Sequence, residues 1–459
     1  MIPYNKSLFI FRRDLRLSDN TGLNNALAKS NKVVPCFIFD PRQIEDDNKY
    51  KSNNAIQFMI ESLKRLNAEL HRQDATLYLF YDNAEDVIKN LITQETIDAV
   101  FVNRDYTPFS ITRDNAIKTI CSKHAVTFEQ SNDLLLHEPD TVTKKDGSPY
   151  SIFSAFYKKA IALNIQKPVA QRHRSWFIKN IKNSESTAIF KKILPKKNKE
   201  IAISGGSNEG TAILKNLKKF NNYAHDRNYP SIDTTHLSAH LKFGTVSIRH
   251  AYQAIIKHLG STHPLLRQLY WRDFFMHVAY HSPKVFGQPY KEKYTMLAWS
   301  NDKKQFKAWC EGKTGFPIVD AGMRQLNATG FMHNRVRMIV ASFLVKDLHI
   351  NWLWGEKYFA QQLVDYDPAV NNGNWQWCAS TGCDAQPYFR IFNPWLQQKK
   401  YDPECTYIKR WISELKHYDN KTIHTWYKKT SPITKEYPRP IIDHKKESAL
   451  AKKLYRKAV

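Results

Sequence analysis

Several features that define other protein classes are scarce or missing in this sequence. No apolar run approaches the roughly 18 residues that a membrane-spanning helix needs, so no membrane association is expected. The six cysteines form no Cys-x-x-Cys pair and are sparse for so long a chain, which favours reduced thiols. The first residues lack the apolar core of a secretion signal, and we therefore expect a cytoplasmic protein. No metal site is predicted.

Two further shortages bear on ligands. No Gly-x-Gly-x-x-Gly follows the first strand-like run, so a dinucleotide site of the usual kind is not supported there. Acidic residues are also few, since 69 Lys and Arg stand against 43 Asp and Glu, giving a net charge of +26. Such an excess favours a polyanionic partner, with nucleic acid the first candidate. Basicity that serves solubility or reflects genome composition is the alternative.

The length and the tryptophan distribution indicate more than one domain. A chain of 459 residues exceeds the ~250 to 300 residues at which a single core stops growing. Trp176 is the first of 11 tryptophans, and the others all follow residue 270. We predict an α/β domain at residues 1–131, a linker at 132–205 and a helical domain at 206–459.

The first ~130 residues alternate short β-branched and aromatic runs with segments of helical periodicity. This βαβ pattern predicts a doubly wound parallel sheet, a Rossmann-like fold. The C-terminal part shows helical periodicity without strand alternation, for example in 209–223, Ile248–Leu259 and 334–348. The fold class is therefore α/β followed by all-α.

Three short segments have side chains suited to ligand chemistry. Residues 234–238 carry hydroxyls before a helical run, which suit phosphate oxygens but are equally common as helix caps. Asp365 and Asp367 could accept from a guanidinium, a ribose or an adenine amine, although turn carboxylates are common. Residues 371–377 place asparagines and two indoles where a core would prefer Leu and Ile, and Trp375 and Trp377 would point to different sides of a helix.

Longer motifs in this chain resemble the photolyase/cryptochrome family, most closely the class I cyclobutane pyrimidine dimer photolyases. The resemblance runs through nearly the whole chain in the family's order. It is carried by Phe11–Asn20, Trp271–Phe274, Glu311–Pro317, Met332–Arg335 and Asn371–Trp377.

The resemblance implies an N-terminal antenna domain, a long linker and a helical domain that holds a folded FAD. In this family the fully reduced flavin anion, once excited by light, passes an electron to a pyrimidine dimer flipped out of DNA, which splits the dimer. The implied partner is damaged DNA, with no obligate protein partner and a monomeric enzyme, nucleoid-associated if the source is prokaryotic.

The resemblance also assigns residues by position. Asn371 would lie beside flavin N5, where a neutral amide favours repair and where cryptochromes commonly carry Asp or Cys. An electron-transfer chain would consist of Trp299, Trp352 and Trp375. The cofactor-binding set is Tyr223, Thr234, Thr235, His236, Leu237, Ser238, Arg272, Arg337, Asp365, Tyr366, Asp367 and Asn371, with Asp365 paired to Arg337. The set facing the dimer and DNA is Gln268, Trp271, Arg272, Asn334, Arg335, Met338, Trp377, Arg390 and Gln397.

Three positions depart from the family pattern. Gln268 stands where dimer-repairing relatives usually have a glutamate, so binding could survive while splitting becomes less efficient. His236 replaces an Arg or Lys near the flavin phosphates. Phe109 and Ser110 replace the Asn-Glu pair of folate-binding members, which argues against a folate antenna and leaves a deazaflavin or no antenna chromophore.

Two alternatives to repair are carried forward. A cryptochrome-type light receptor is disfavoured by Asn371 and by Asn334 and Met338, where enzymes specific for (6-4) lesions have paired histidines. It is also disfavoured by the short stretch that follows His444, since many signalling cryptochromes carry long extensions. The other alternative is a nucleic-acid-binding protein without flavin, which would be colourless.

Overall fold

The computed structural model describes residues 2–428 and 434–458, and these form two compact units. The first unit comprises the segment that ends at Lys199 together with Ile203–Lys219 and His236–Pro283. The second comprises Glu200–Ala202, Phe220–Thr235 and the segment that starts at Lys284. In the described part of the chain no helix is both long and apolar enough to cross a lipid bilayer.

A five-stranded parallel sheet forms the centre of the first unit. Its strands are β1 (Tyr4–Phe11), β2 (Ser30–Phe39), β3 (Tyr78–Tyr81), β4 (Ala99–Asn103) and β5 (Thr127–Ser131), in the order β3-β2-β1-β4-β5. The inner strands read as continuous apolar runs because helices cover both faces of the sheet. The predicted doubly wound sheet is confirmed.

Helices account for most of the remaining regular structure. In the first unit they are α1 (Thr21–Lys29), α2 (Pro41–Ile44), α3 (Asn53–His71), α4 (Ala84–Glu95), α5 (Pro108–Lys123), α6 (Phe153–Ala160), α7 (Ile189–Ile193), α8 (Ser207–Lys215), α10 (Leu237–Phe243), α11 (Ile248–Leu259) and α12 (Pro264–His281). In the second they are α9 (Tyr223–Asp226), α13 (Lys303–Glu311), α14 (Pro317–Thr329), α15 (Asn334–Ser342), α16 (Trp352–Gln362), α17 (Pro368–Ala379), α18 (Pro394–Tyr401), α19 (Thr406–Trp411), α20 (Asn420–His424) and α21 (His444–Lys457). The α/β plus all-α class is confirmed.

Two predicted helices have a different form in the structure. The single helix expected over residues 209–223 is broken into α8, a 3-10 turn at Leu217–Phe220, and α9. Asn216 ends α8, and asparagine competes for backbone hydrogen bonds in non-helical conformations. The helix expected over 334–348 is α15 followed by a π-helical turn at Phe343–Asp347.

The motif that follows β1 is a buried ion-pair network within the first unit. Arg16 donates to Asp133 at 2.7 Å, and Asp133 also accepts from Arg249 of α11 at 2.7 Å. Arg249 pairs in turn with Asp19 at 3.0 Å. The ion pairs of Arg16 and Arg249 therefore hold α11 against the loops that follow β1 and β5.

A second family motif also has a structural role. Asp320 of α14 is fully buried and accepts from the backbone N–H and the hydroxyl of Thr314 at 2.8 and 2.6 Å. It accepts a further bond from the Tyr437 hydroxyl at 2.6 Å. Gly315 has a φ of +77°, and a Cβ there would lie 2.3 Å from the Arg439 backbone. Only glycine fits this turn.

Candidate functional site

The predicted site residues are distributed over both units. The first unit contains His236, Leu237, Ser238, Gln268, Trp271 and Arg272. The second contains Tyr223, Thr234, Thr235, Trp299, Asn334, Arg335, Arg337, Met338, Trp352, Asp365, Tyr366, Asp367, Asn371, Trp375, Trp377, Arg390 and Gln397. Each group has its own local geometry.

In the first unit, Trp271 lies on α12 and is stacked on one side. Its ring is nearly parallel to that of Phe153 on α6, with centroids 3.6 Å apart and an interplanar angle of 7°. Phe153 is only 1% exposed, whereas Trp271 is half-buried. One face of the indole is thus fixed by packing. Sequence reasoning missed Phe153, since nothing in the pattern of α6 marks it.

The two polar neighbours of Trp271 on α12 differ in how firmly they are held. The side-chain nitrogen of Gln268 donates to the Pro264 carbonyl, one turn earlier, at 3.4 Å. Arg272 donates from its two terminal nitrogens to the carbonyls of Leu134 at 2.9 Å and Leu241 at 3.3 Å. Arg272 therefore joins α12 to α10 and to the segment after β5, and its role in binding stays a prediction.

Asp273 is the one carboxyl residue of α12, and its pKa is strongly perturbed. It is completely buried and accepts from the backbone N–H of Leu136 at 2.8 Å, while Arg272 lies 3.6 Å away. Its Oδ1 has no hydrogen-bond partner among the described residues. Burial raises the pKa of Asp273 to about 7, because the ionised form has lost its solvation.

The segment expected near the flavin phosphates precedes α10. His236 occupies the N-cap position with a φ of +53°, and no side chain caps the helix. Thr234, Thr235 and His236 are half-buried and Ser238 is exposed. In the second unit, burial raises the pKa of the Tyr223 hydroxyl, so this group stays protonated and able to donate.

In the second unit the predicted pairing of Arg337 with Asp365 is present. One terminal nitrogen of Arg337, Nη2, donates to both oxygens of Asp365, at 3.2 and 3.0 Å, and Nε donates to the Met332 carbonyl at 2.7 Å. The Asp365 side chain is 4% exposed and that of Arg337 is 23% exposed. The ion pair and the bond to Met332 together fix the direction of the guanidinium.

The neighbouring Asp367 has a clear structural use. It is the N-cap of α17, and its Oδ1 accepts from the backbone N–H groups of Ala369 at 3.1 Å and Val370 at 3.2 Å. A carboxylate here also matches the positive end of the helix dipole. A capping role thus accompanies the predicted role in cofactor binding.

Asn371 is oriented by a residue that the sequence did not point to. Its side-chain nitrogen donates to the backbone carbonyl and to Oε1 of Glu356 on α16, each at 3.0 Å. Both N–H groups are engaged in this way, so the amide oxygen is the acceptor that Asn371 can offer to another group. Glu356 is 3% exposed, and its sequence context resembles an ordinary exposed helix position.

The three tryptophans of the predicted electron-transfer chain belong to one apolar core. Trp352 and Trp375 are 1% and 2% exposed, and Trp299 packs at the edge of the same cluster. Trp375 lies against Gly355, where a Cβ would come within 2.2 Å of the indole Cη2. Only glycine permits this approach between α16 and α17.

Trp377 points to a different side of α17 from Trp375, as the sequence predicts, and it is half-buried. Asn334 and Met338 are one turn apart and lie on one side of α15, with Asn334 exposed and Met338 half-buried. These three residues therefore keep accessible surface.

The residues predicted to contact the damaged DNA strand have side-chain atoms that are still able to form hydrogen bonds. Arg335 stacks over Tyr401 at 4.3 Å and donates to Asn228, and its Nε is buried without a partner within the described residues. The side-chain oxygen of Gln397 is likewise buried and unpaired in that part of the chain. Arg390 is exposed. Buried polar atoms without partners are costly, and sites of ligand contact are one reason to keep them.

No cluster of His, Cys, Asp and Glu suited to a metal ion occurs in the described residues. The titratable groups near Asn371 and Trp271 can position and hydrogen-bond a ligand, and the indoles can pass electrons. Side chains of these types are suited to holding and orienting a redox cofactor, which would supply the chemistry itself.

Comparison with known proteins agrees with this arrangement. A model of the DNA photolyase family matches residues 7–172, and a model of the FAD-binding domain of DNA photolyase matches residues 265–457. The deoxyribodipyrimidine photo-lyase of Vibrio cholerae is 36% identical over 98% of this chain and 98% of its own length. The chain belongs to the DNA photolyase family.

Solved structures of the family superpose on the whole chain. The archaeal photolyase of Sulfolobus tokodaii, described with two FAD molecules, has a TM-score of 0.89 and 43% identity, covering 98% of this chain and 100% of its own. A class III photolyase of Agrobacterium tumefaciens has a TM-score of 0.92 and 33% identity, and the match covers 100% of this chain and 98% of its own. A cryptochrome of Synechocystis has a TM-score of 0.89 and 26% identity, and the match covers 99% of each chain. The family and fold predicted from sequence are confirmed.

Proposed function

We propose that this chain is a deoxyribodipyrimidine photo-lyase, which uses FAD and light to split cyclobutane pyrimidine dimers in DNA. The observation that carries the proposal is the orientation of Asn371. Its N–H groups donate to Glu356 at 3.0 Å, so a neutral amide oxygen is presented where family members hold flavin N5. An acceptor at this point suits a flavin that is reduced and protonated at N5.

The side chains of the second unit fit a flavin with its diphosphate and adenosine. Arg337 is held by an ion pair with Asp365 and by its bond to the Met332 carbonyl, so its guanidinium has a fixed position. Tyr223, Thr234 and Thr235 offer hydroxyl donors for phosphate oxygens. Tyr366 packs against the same apolar core as Trp375. The donor set therefore matches an anionic cofactor with a large planar ring.

FAD, when bound and reduced, supplies the light-excited electron that splits the cyclobutane ring. The residues of the chain bind the cofactor, orient it and shield it from water. Asn371 would present its amide oxygen, and Arg337, held by Asp365, would offer guanidinium N–H donors to the cofactor. Trp352 and Trp375 form a dry path, with Trp299 at its edge, along which an oxidised flavin can be reduced by light.

On the DNA side, Trp271 of the first unit and Trp377 of the second each offer an apolar ring face to a dimer rotated out of the duplex. A dimer is cheaper to unstack than an intact pair, which contributes to selectivity. By the family resemblance, Asn334 and Met338 also contact the dimer. Arg335, Arg390 and Gln397 contact the damaged strand, where neutralised phosphates make affinity dependent on salt.

For the antenna we propose a flavin-type chromophore in place of a folate. Phe109 lies under the guanidiniums of Arg42 at 5.2 Å and Arg113 at 5.8 Å, and the Ser110 hydroxyl donates to Asp105 at 3.0 Å. A cavity of about 360 Å³ lies near the carboxyl ends of β2 and β3, beside Tyr81 and Lys192. Extraction of the bound chromophores and their absorption spectra test this.

We further propose that the enzyme acts as a monomer in the cytoplasm without an obligate protein partner. The six cysteines are free thiols, which suits a reducing compartment. Size-exclusion chromatography with light scattering tests the monomer, with and without a dimer-containing oligonucleotide.

The deciding experiment measures dimer loss in an irradiated thymine-dimer oligonucleotide under near-UV and blue light, against a dark control. Repair should require light and bound FAD. Arg337→Met should empty the flavin site, because it removes the cation and leaves Asp365 buried and unpaired, while Arg410→Met on the surface of α19 should not. A yellow protein that repairs nothing under light would favour the cryptochrome function.

A further inference from the structure

An exposed arginine lies beside the stacked tryptophan of α12. Arg267 is one helical turn before Trp271 and therefore projects from the same side of the helix. Its guanidinium lies 5.2 Å from the centre of the Phe153 ring and 5.3 Å from that of Tyr157. Phe153 thus contacts both the arginine and the tryptophan.

The rings of α6 and α12 form one layer. The Phe153 and Tyr157 rings are stacked with an interplanar angle of 16° and centroids 5.6 Å apart. Phe153 is also parallel to Trp271 at 3.6 Å. Phe153, Tyr157, Trp271 and Arg267 thus form one connected cluster of side chains.

Arg267 has no carboxylate partner within the described part of the chain, where its contacts are to aromatic rings. The neighbouring stretch from residue 150 to 172 has no Asp or Glu. It has four basic residues, Lys158, Lys159, Lys167 and Arg172. A guanidinium that stacks on a ring keeps the N–H groups in its plane free to donate, and its geometry matches a phosphate.

We propose that Arg267 binds a backbone phosphate of the damaged strand. Phe153 and Tyr157 are positioning residues, which hold the Arg267 guanidinium beside Trp271. This inference rests on the proposed function. Four residues of helix advance about 6 Å along its axis, and successive phosphates advance about 3.4 Å along one strand. Arg267 and Trp271 are therefore close enough for neighbouring nucleotides of one strand to contact both.

The test is dark binding of a dimer-containing oligonucleotide, measured by fluorescence anisotropy from 50 to 300 mM salt. Arg267→Ala should weaken binding about tenfold at low salt and lower the slope of log K against log salt by about one, as expected for one lost phosphate contact. The matched control is Arg72→Ala, an exposed arginine at the end of α3, which should change neither value.

The positioning role has its own readout. Tyr157→Leu should lower the slope of log K against log salt by less than Arg267→Ala does. Tyr157→Phe, which keeps the ring, should have the wild-type slope. In an Arg267→Ala background Tyr157→Leu should add almost nothing, because the two changes act on one contact. An Arg267→Ala protein with wild-type affinity and slope would overturn the inference. Wild-type protein that fails to prefer dimer-containing DNA would instead overturn the proposed function.

Discussion

The side-chain amide of Asn371 donates to the backbone carbonyl and to the carboxylate of the same residue, Glu356, at 3.0 Å in each case. The two helices α16 and α17 are thereby joined at the residue proposed to lie beside flavin N5. The amide cannot rotate without losing both bonds. A single glutamate would therefore determine that the oxygen of Asn371 faces the proposed cofactor.

Replacing Asn371 by Asp should disturb both the fold and the flavin. Two buried carboxylates would face each other, so one would hold a proton and the pair would lose stability as the pH rises. The reduced flavin should also form less readily beside the added negative charge. Thermal unfolding at pH 6 and 8.5 and light-driven bleaching of the flavin measure both effects. Asn374→Asp on the exposed side of α17 is the control, and equal behaviour of the two variants would contradict the role of Glu356.

Changing Trp299 to Phe should slow the photoreduction of oxidised FAD, because phenylalanine is far harder to oxidise than tryptophan. Repair by enzyme reduced chemically beforehand should stay within about twofold of wild type. Trp411→Phe, which alters a half-buried indole at the edge of the same core, should leave both rates unchanged. Equal damage to photoreduction and repair would remove Trp299 from the electron path.

Gln268→Glu should preserve or raise the quantum yield of dimer splitting. Among the described residues, the Gln268 side chain is held by one weak bond, at 3.4 Å, to the Pro264 carbonyl, so a carboxyl of the same length can occupy its place. Yield is measured on pre-reduced enzyme at saturating substrate, with Gln268→Ala to separate loss of the amide from gain of the acid. A severe fall in the Glu variant would mean that the dimer meets this pocket differently.

The pH dependence of stability should carry a contribution from Asp273. Burial raises its pKa to about 7, above the ~3.9 of an unfolded aspartate, so the folded state binds the proton more tightly. The stabilisation is complete below pH 4 and is lost as the pH rises through 7. Relative to Asp273→Asn, the wild-type free energy of unfolding should fall by about 2 to 3 kcal/mol between pH 5 and 8. Urea unfolding at both pH values measures this, and parallel curves would contradict it.

The fold could be predicted from the sequence because its signals are local and repeated. The apolar runs of β1, β2 and β4 and the intervening helices predict a parallel sheet, and α11 begins and ends where the apolar spacing indicates. The break after Asn216 and the π-helical turn at Phe343–Asp347 were missed. Both depend on hydrogen bonds and packing that apolar spacing does not report.

The site was predictable only through long motifs shared with a known family. Arg337, Asp365 and Asn371 were found in that way, and the pairing of the first two is present at 3.0 Å. Glu356, Phe153 and Gly355 were not found, because each acts on another residue through space. Glutamate in a helix, phenylalanine in a short helix and glycine in a helix each have ordinary explanations when read along the chain.

The contact between Gly355 and Trp375 has a consequence for the rate of the proposed photoreduction. Because even a methyl group would collide with the indole, glycine at position 355 sets how closely α16 and α17 approach. Electron tunnelling slows steeply as the distance between donor and acceptor grows. If Trp352 of α16 and Trp375 of α17 exchange electrons as proposed, a bulkier residue at position 355 would separate them and delay recovery of the reduced flavin after darkness.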